Sequence, residues 1–468
     1  MNYTTTSGEF IKYFIPIFNS DNNQETNKEA NANGVETNGV EANAEAKTKL
    51  FKVIYNDIYK AYRESIKHSC LKGVLKKITQ AEPAKQPEIY SSKFFPTYIK
   101  KYISENETYQ LTYTCVINGR TIHIHFTLFS EEELLKLDDK YLTNIKMIYI
   151  WLKICASYSS KSCAKTLDIY IYQTPFLKEL PDKVTTTLGV EHVNTAFTMS
   201  CSPEGEIVIF RNEEWFKVLI HETFHAYGLD SGANNKNQLL KTLSQLFPID
   251  SDHDISEAYA ETWARIMNTA LCSFNALENK KDLSTFMDYM NFNLQLERLF
   301  SLYQCNKVLG FMGLTYNNIH EPGEKNAYLR KNLYREDTHV FAYYILTAIF
   351  LNDYCGFLSW CNNHNTALLQ LNGAQYVFNE LGDYIEEQYN NESILYGITI
   401  VNGINVVNGI HTIKHSNNKT EPSKHSNNKT EPSKTSNNKT EPSKASSNKK
   451  EKYKNLLNTT RMSIIEFI

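Results

Sequence analysis

Two histidines separated by three residues are the part of this sequence best suited to binding a metal ion. They belong to His221-Glu222-Thr223-Phe224-His225, an H-E-x-x-H motif. On a helix, residues four apart lie on one face, so His221 and His225 can direct two imidazoles at one ion. Zinc accepts imidazole and carboxylate ligands tetrahedrally and keeps one position for water. Glu222 is placed to act on that water.

The motif also has a structural interpretation, in which an amphipathic helix holds two satisfied histidines. Its neighbours favour the metal site, because they predict a buried helix without competing charges and a glycine that ends it. These neighbours are Val218, Leu219, Ile220, Ala226, Tyr227, Gly228 and Leu229.

The stretch resembles the active-site helix of the zincin metallopeptidases. The resemblance implies that His221 and His225 bind one zinc ion per chain and that Glu222 deprotonates the attacking water. Metzincins continue this motif as H-E-x-x-H-x-x-G-x-x-H. The present chain has Gly228, but Ser231 occupies the last ligand position and Asp230 is one residue off. The metzincin pattern therefore fails at the third ligand.

A second segment, Ile255-Ser256-Glu257-Ala258-Tyr259-Ala260-Glu261, resembles the second helix of gluzincins. The resemblance implies Glu257 as the third ligand and Glu261, one turn later, as the carboxylate that orients a ligand histidine. Glu261 as the ligand is the main alternative, and a solvated helix face is the structural one. The gap after His225 is longer than in familiar gluzincins and accommodates a short helix near Asn237–Leu246. The subfamily is therefore open.

A hydrolase of this kind needs a second donor for the developing oxyanion. The candidates lie on a late helix and are His339, Tyr343 and Tyr344, with Tyr259 and His253 as weaker options. A structural role is the more common one for such side chains, and the sequence does not choose among His339, Tyr343 and Tyr344.

The composition describes a globular chain that can form one large domain or two. Of 468 residues, 41% are apolar and 22% charged, and the net charge of -3 predicts no nucleic-acid or membrane partner. No apolar run is long enough to span a bilayer, and no signal peptide is recognisable. Nine scattered cysteines without C-x-x-C predict reduced thiols. We expect a cytoplasmic protein that is not secreted.

The predicted fold class is α+β and zincin-like, with a small mixed sheet, an active-site helix and a mainly helical subdomain. The predicted segments are an N-terminal docking segment or strand at 1–19, a disordered low-complexity insertion at 20–48, an α+β region at 49–165, the catalytic domain at 166–412, a disordered decapeptide-repeat linker at 413–452 and an apolar tail at 453–468. The tail is expected to dock on its own domain or on a partner.

Several elements follow from local patterns. Asn118-Gly119 between two alternating segments predicts a hairpin of Thr108–Ile117 and Arg120–Leu128. Ser130 to Glu133 resembles a capping box that opens a helix to Ala156. Further strands are expected at 167–172, 192–200 and 206–210, the active-site helix at 212–228, and later helices at 255–274, 283–309, 337–351 and 367–389. The resemblance to zincins implies that residues 193–198 form the edge strand that pairs with an extended peptide, and an ordinary sheet strand is the equal alternative.

The sequence thus predicts zinc-dependent hydrolysis of a peptide or protein substrate. Two alternatives remain, a catalytically idle zincin scaffold with an interaction role and a non-peptidase zinc amidohydrolase. Tyr, Asn, Lys and Ile, whose codons are AT-rich, are frequent in the chain. Together with the low-complexity inserts and the context of the motif, this composition resembles that of uncharacterised metallopeptidases of large DNA viruses. That origin implies the host cytoplasm or the virion as the location.

Overall fold

A computed structural model of the chain describes residues 3–16, 37–67, 73–230, 236–407 and 454–466. These residues form an α+β fold, as expected, in which a mixed sheet packs against helices and leads into a mainly helical region. The predicted repeat linker at 413–452 lies outside the described residues. So do Ser231 and residues 20–36 of the predicted insertion.

The strands of the described residues are β1 (Val74–Lys77), β2 (Tyr109–Ile117), β3 (Arg120–Leu128), β4 (Thr166–Thr174), β5 (Leu188–Gly189), β6 (Ala196–Thr198), β7 (Glu204–Arg211) and β8 (Glu336–Asp337). Six form one sheet in the order β1-β2-β3-β4-β7-β6, while β5 and β8 pair separately. The β3, β4 and β7 strands are parallel, and the other pairs of the sheet are antiparallel. Because β3 pairs with β4, the predicted boundary at 165/166 falls inside one sheet.

The predicted hairpin is confirmed as β2 and β3. Ile117 pairs with Arg120 across a two-residue turn. Asn118 and Gly119 have φ values of 50° and 80°, both in the left-handed region. A two-residue hairpin turn needs this conformation to match the twist of its strands, which explains why Asn-Gly is so informative.

The helices are α1 (residues 5–16), α2 (Thr37–Ser65), α3 (Thr97–Asn106), α4 (Leu142–Tyr158), α5 (Val190–Val193), α6 (Trp215–Ala226), α7 (Asn237–Leu246), α8 (Ile255–Asn275), α9 (Leu283–Phe311), α10 (Tyr316–His320), α11 (Glu324–Leu333), α12 (Thr347–Asn352), α13 (Tyr354–His364), α14 (Gln375–Gln388), α15 (Glu392–Val407) and α16 (Lys454–Asn458). A π-helical turn, Phe341–Leu346, leads into α12. The short helix expected near Asn237–Leu246 is confirmed as α7.

Helix α4 holds α6 against the rest of the core. Trp151 of α4 donates its indole N–H to the Thr223 hydroxyl at 2.6 Å and stacks on Phe224, with ring centroids 6.0 Å apart. All three side chains are buried. This contact positions the helix that carries both motif histidines.

Two predictions for the N-terminal region are wrong. Of the two alternatives for the first segment, the strand is wrong, because residues 5–16 form a helix. The packing of Phe10 and Phe14, four residues apart, on Phe300 agrees with the alternative of a docking segment. Helix α2 begins at Thr37, inside the segment 20–48 that was expected to be disordered.

Other element predictions need correction at their ends. The Ser130 side chain makes no capping bond, and the Glu133 carboxylate accepts instead from the Phe129 N–H at 2.7 Å. The α-helix does not begin here, because a 3₁₀ turn and a π turn precede α4. The strand expected at 192–200 is shorter, because His192 and Val193 belong to α5. The last predicted helix begins at Gln375 rather than at 367.

The expectation that the cysteines are all reduced thiols is wrong for one pair. Cys163 and Cys201 form a disulfide, with their Cα atoms 4.6 Å apart. The loops before β4 and before β7 meet here, and the Ala164 N–H donates to the Ser202 carbonyl at 2.7 Å. Cysteines 38 residues apart are brought together by parallel strand pairing, which their spacing does not reveal.

The described part of the C-terminal tail packs against its own chain. Its apolar side chains Leu456, Met462, Ile464 and Ile465 are buried. The Leu180 N–H donates to the Asn458 carbonyl at 2.7 Å, and the Thr460 N–H donates to the Lys178 carbonyl at 3.1 Å. The tail therefore contributes to the core of the fold.

None of the individual helices in the described residues combines the length and the apolar character needed to cross a bilayer. The segments Phe341–Asn352 and Tyr354–His364 reach that length and composition only together, bent by 92°. Most of their side chains are buried in the protein core.

Candidate metal centre

Helix α6 brings the two motif histidines together. The Nε2 atoms of His221 and His225 are 3.1 Å apart, as expected for residues separated by one helical turn. Glu214, which precedes the helix, has φ 57° and turns the chain from β7 into α6. Every residue of α6 is buried, so each polar side chain on it needs a partner or a cleft.

Helix α8 supplies the third side chain. Glu257, in its first turn, places Oε2 3.1 Å from His221 Nε2 and 3.4 Å from His225 Nε2. In a tetrahedral zinc site with bonds of about 2.0–2.2 Å, two ligand atoms are about 3.3–3.6 Å apart. The three atoms thus form a triangle close in size to one face of such a tetrahedron.

The other nitrogen of each imidazole is held by a carboxylate. His221 Nδ1 lies 3.1 Å from Glu261 Oε2, and His225 Nδ1 lies 2.7 Å from Asp230 Oδ2. An ionised carboxylate only accepts hydrogen bonds, so each Nδ1 carries a proton. In the neutral ring Nε2 then presents a lone pair, and two lone pairs converge with a carboxylate oxygen. This donor set fits a divalent cation.

The same carboxylates raise the affinity of the imidazoles for protons. Burial lowers the pKa of His221, but hydrogen bonds to Glu257 and Glu261 outweigh this effect and raise it above its ordinary value. The pKa of His225 is raised further, because the charges of Glu257 and Asp230 outweigh its burial. Protons and a metal ion would therefore compete for one centre.

The geometry distinguishes the two glutamates of α8. Glu257 faces both Nε2 atoms, whereas Glu261 lies on the opposite side of the His221 ring. The Glu261 carboxylate also accepts from Lys217 Nζ at 2.9 and 3.0 Å. A carboxylate engaged by a lysine and by Nδ1 suits an orienting role.

Glu222 points toward an open cleft beside this centre. Among the described residues, no side chain forms a hydrogen bond with its carboxylate, and burial raises the pKa of this group. The space in and around the cleft is about 440 Å³, which includes open solvent at its mouth. Its lining includes the edge strand β6, the side chains of Glu222, His339 and Tyr343, and the three converging residues.

The structure separates the candidate oxyanion donors. Tyr343 donates its hydroxyl to Glu257 Oε2 at 2.8 Å, and His339 lies in the same cleft, with its ring 6.0 Å from that of Tyr343. Tyr344 and Tyr259 are turned into the core and donate to the backbone carbonyls of Thr460 and Leu369. His253 makes two contacts with backbone carbonyls, which indicates a structural role.

A second grouping of possible ligands shares Glu257. Asp254, Glu257 and His339 bring one donor atom each within 4.8 Å of the others. The Asp254 carboxylate already accepts from the Ser256 N–H at 2.9 Å as the N-cap of α8. This capping role is sufficient to explain its position.

Several residues that support the centre are not predicted by the sequence motifs. Asp230, one residue off the metzincin ligand position, holds His225 instead of a metal. Lys217 is a lone cation in an apolar helix, four residues before His221, and this isolation is the local signal of its role. Glu214 pairs with Lys178 at 2.5 Å and lies 4.0 Å from Lys217 Nζ. All of these side chains are buried.

The chain matches no protein-family model, and neither the curated proteins nor the solved structures give a match.

Proposed function

We propose that the protein is a zinc-dependent peptidase with a gluzincin-like zincin active site. The proposal is carried by the convergence of His221 Nε2, His225 Nε2 and Glu257 Oε2, separated by 3.1–3.4 Å. Two imidazoles and one carboxylate are the protein ligands of zinc hydrolases that leave a position for water. The α+β fold, with an edge strand beside the motif helix, supports the same assignment.

A bound zinc ion would polarise the substrate carbonyl and lower the pKa of a water molecule. Glu222 would accept a proton from that water and return it to the leaving amine. Burial raises the pKa of this carboxyl, which brings it nearer to neutral pH and makes it a better proton donor in the second step. Tyr343 or His339 would donate a hydrogen bond to the oxyanion.

The substrate class follows from the edge of the sheet. Strand β6 pairs with β7 on one side and ends the strand order of the sheet. Ala196, Phe197 and Thr198 line the cleft that contains Glu222. An extended peptide can add to such an edge through backbone hydrogen bonds, which would carry its carbonyl past the metal centre. A peptide or protein is therefore the proposed substrate.

The test combines metal content with turnover. Chelator-washed protein is reloaded with zinc and analysed by elemental mass spectrometry, where we expect about one zinc ion per chain. Glu222→Gln should keep the metal and lose about 10²–10⁴-fold of the rate on a peptide library. Glu191→Gln, at an exposed glutamate, is the matched control and should keep both. Full activity of Glu222→Gln would exclude this mechanism.

A further inference from the structure

We propose that the C-terminal segment 454–466 is an ordering element of the metal centre. By docking on Glu214 and Glu297 it fixes Lys217 and Glu261, so metal affinity depends on whether the segment is docked. The dependence on metal affinity rests on the proposed zinc site. The ordering of helix α6 by the segment does not.

The segment contacts the residue that starts the motif helix. The Met462 N–H donates to the two carboxylate oxygens of Glu214 at 3.0 and 3.1 Å, and the Ser463 N–H donates to Oε1 at 2.5 Å. In return, the Glu214 N–H donates to Glu466 Oε1 at 2.8 Å. The segment therefore holds both the side chain and the backbone at the start of α6.

A short series of buried contacts leads from there to His221. The Glu214 carboxylate lies 4.0 Å from Lys217 Nζ, and Met462 Sδ lies 3.8 Å from the same nitrogen. Lys217 in turn donates to Glu261 at 2.9 Å, and Glu261 holds His221 Nδ1 at 3.1 Å. Every link is between adjacent side chains, so displacement of the segment alters the surroundings of Lys217 directly.

Glu297 of α9 anchors the other end of the segment. Its Oε1 accepts from the Ser463 hydroxyl at 2.5 Å and from the N–H groups of Ile464 and Ile465 at 3.0 and 2.9 Å. Its Oε2 pairs with Arg265. Glu297 is fully buried. Three donors to one buried carboxylate fix the position of the segment more specifically than apolar packing alone would.

The groups that the segment satisfies are charged and buried. Without it, Glu214 loses two N–H donors and Glu297 loses three donors. Glu214 keeps its pairing with Lys178, and Glu297 keeps its pairing with Arg265. A buried carboxylate that loses hydrogen-bond donors is nevertheless destabilised, so water would enter and the carboxylates would rearrange. Rearrangement of Glu214, 4.0 Å from Lys217 Nζ, and loss of Met462 from the same nitrogen would then alter how Lys217 holds Glu261. Loss of a carboxylate that holds a ligand histidine, as Glu261 holds His221, typically weakens metal binding about 10–100-fold.

The test uses the full-length chain with Ser463→Pro, which removes the N–H donor to Glu214 and the hydroxyl donor to Glu297. Zinc affinity is measured by chelator competition, and amide exchange is followed in residues 215–226 and 459–466. We expect about 10–100-fold weaker zinc binding and faster exchange in both regions. Ile103→Ala, in the buried face of α3, is the control for general destabilisation and should leave zinc affinity unchanged.

A peptide-rescue experiment and a milder variant separate loss of docking from general misfolding. A synthetic peptide of residues 452–468, added to Ser463→Pro, should restore zinc affinity and the protection of α6. If Ser463→Pro does not fold, Ser463→Ala removes the hydroxyl alone and should shift both readouts in the same direction by less. Rapid exchange of the segment with an unchanged α6 would overturn the proposal. Absence of zinc from wild type would instead refute the proposed function, and amide exchange would still test this inference.

Discussion

The carboxylate of Glu261 lies between the ammonium group of Lys217, 2.9 Å away, and the imidazole of His221, 3.1 Å away. One carboxylate thereby neutralises a lysine that is buried in an apolar helix and fixes the ring of a candidate metal ligand. Charge neutralisation and ligand orientation usually belong to separate residues. Here they are coupled, and mutation can separate them.

Glu261→Gln should weaken both functions of this carboxylate. The amide oxygen can still accept from His221 Nδ1, but Lys217 is left as a buried charge without a full partner, which costs about 3–5 kcal/mol. Zinc affinity should fall about 10–100-fold. The double variant Lys217→Met with Glu261→Gln should recover most of the stability but not the zinc affinity. Urea unfolding with chelator present and a zinc competition titration measure the two effects. Equal recovery of both would show that the two roles are not separable.

Glu257→Ala should abolish tight zinc binding, because it removes one corner of the triangle formed with His221 and His225. Asp254→Asn tests the second grouping of ligands, since asparagine preserves the N-cap of α8 but removes the charge. It should retain wild-type zinc affinity, while Asp254→Ala should lose about 1 kcal/mol of stability. Loss of zinc from Asp254→Asn would move the metal to the grouping with His339.

Tyr343→Phe should lower the rate and keep the metal. Its hydroxyl lies 2.8 Å from Glu257 Oε2 at the cleft, so it is placed to donate to an oxyanion. Removal of such a donor typically costs about 10²–10³ in kcat. Tyr259→Phe is the control, because that hydroxyl donates to the Leu369 carbonyl inside the core. A normal rate in Tyr343→Phe would leave His339 as the candidate donor.

Local patterns predicted the parts of this protein that depend on local chemistry. The motif on α6, the Asn-Gly hairpin and helix α7 are set by spacing and turn conformation over a few residues. For residues 5–16 the high strand propensity of Phe10, Ile11, Phe14 and Ile15 favours a strand, and this local signal is wrong. The partners on α9 decide the conformation, since Phe10 and Phe14 both pack on Phe300.

The network around the site was not predictable in the same way. Glu214, Lys217 and Glu297 are ordinary charged residues in sequence, and their pairing depends on contacts over up to 252 residues. The tail illustrates the limit, since its apolar character indicates burial but not where it docks. Asp230 did carry a local signal, as a carboxylate five residues after a candidate ligand histidine.

Glu213 and Glu214 are adjacent and buried, yet their pKa values shift in opposite directions. Burial raises the pKa of Glu213. Burial acts on Glu214 in the same sense, but the charges of Lys178, Lys217 and Arg461 outweigh it and hold the pKa far below 4.5. Ionised Glu214 therefore stabilises the fold above about pH 4.5, and this contribution is lost as pH falls toward its folded pKa. Ionised Glu213 destabilises the fold, because its pKa is raised by folding. The contribution of Glu213 to stability is therefore greatest at low pH, where it is protonated, and is lost as pH rises.

Substitution by glutamine should reveal these opposite signs. Glu214→Gln should lower the free energy of unfolding by about 3–5 kcal/mol at pH 7, because the buried cations lose their charged partner. The stability of this variant should also fall less steeply as pH is lowered, because the group that titrates has been removed. Glu213→Gln mimics the protonated form and can keep the acceptor for the Lys178 N–H, 2.8 Å away, so its stability at pH 7 should match or exceed that of wild type. Urea unfolding between pH 4 and pH 8 measures both curves. Parallel curves for the two variants would contradict the assigned shifts, since a lowered pKa of Glu214 and a raised pKa of Glu213 make the two profiles diverge as pH rises.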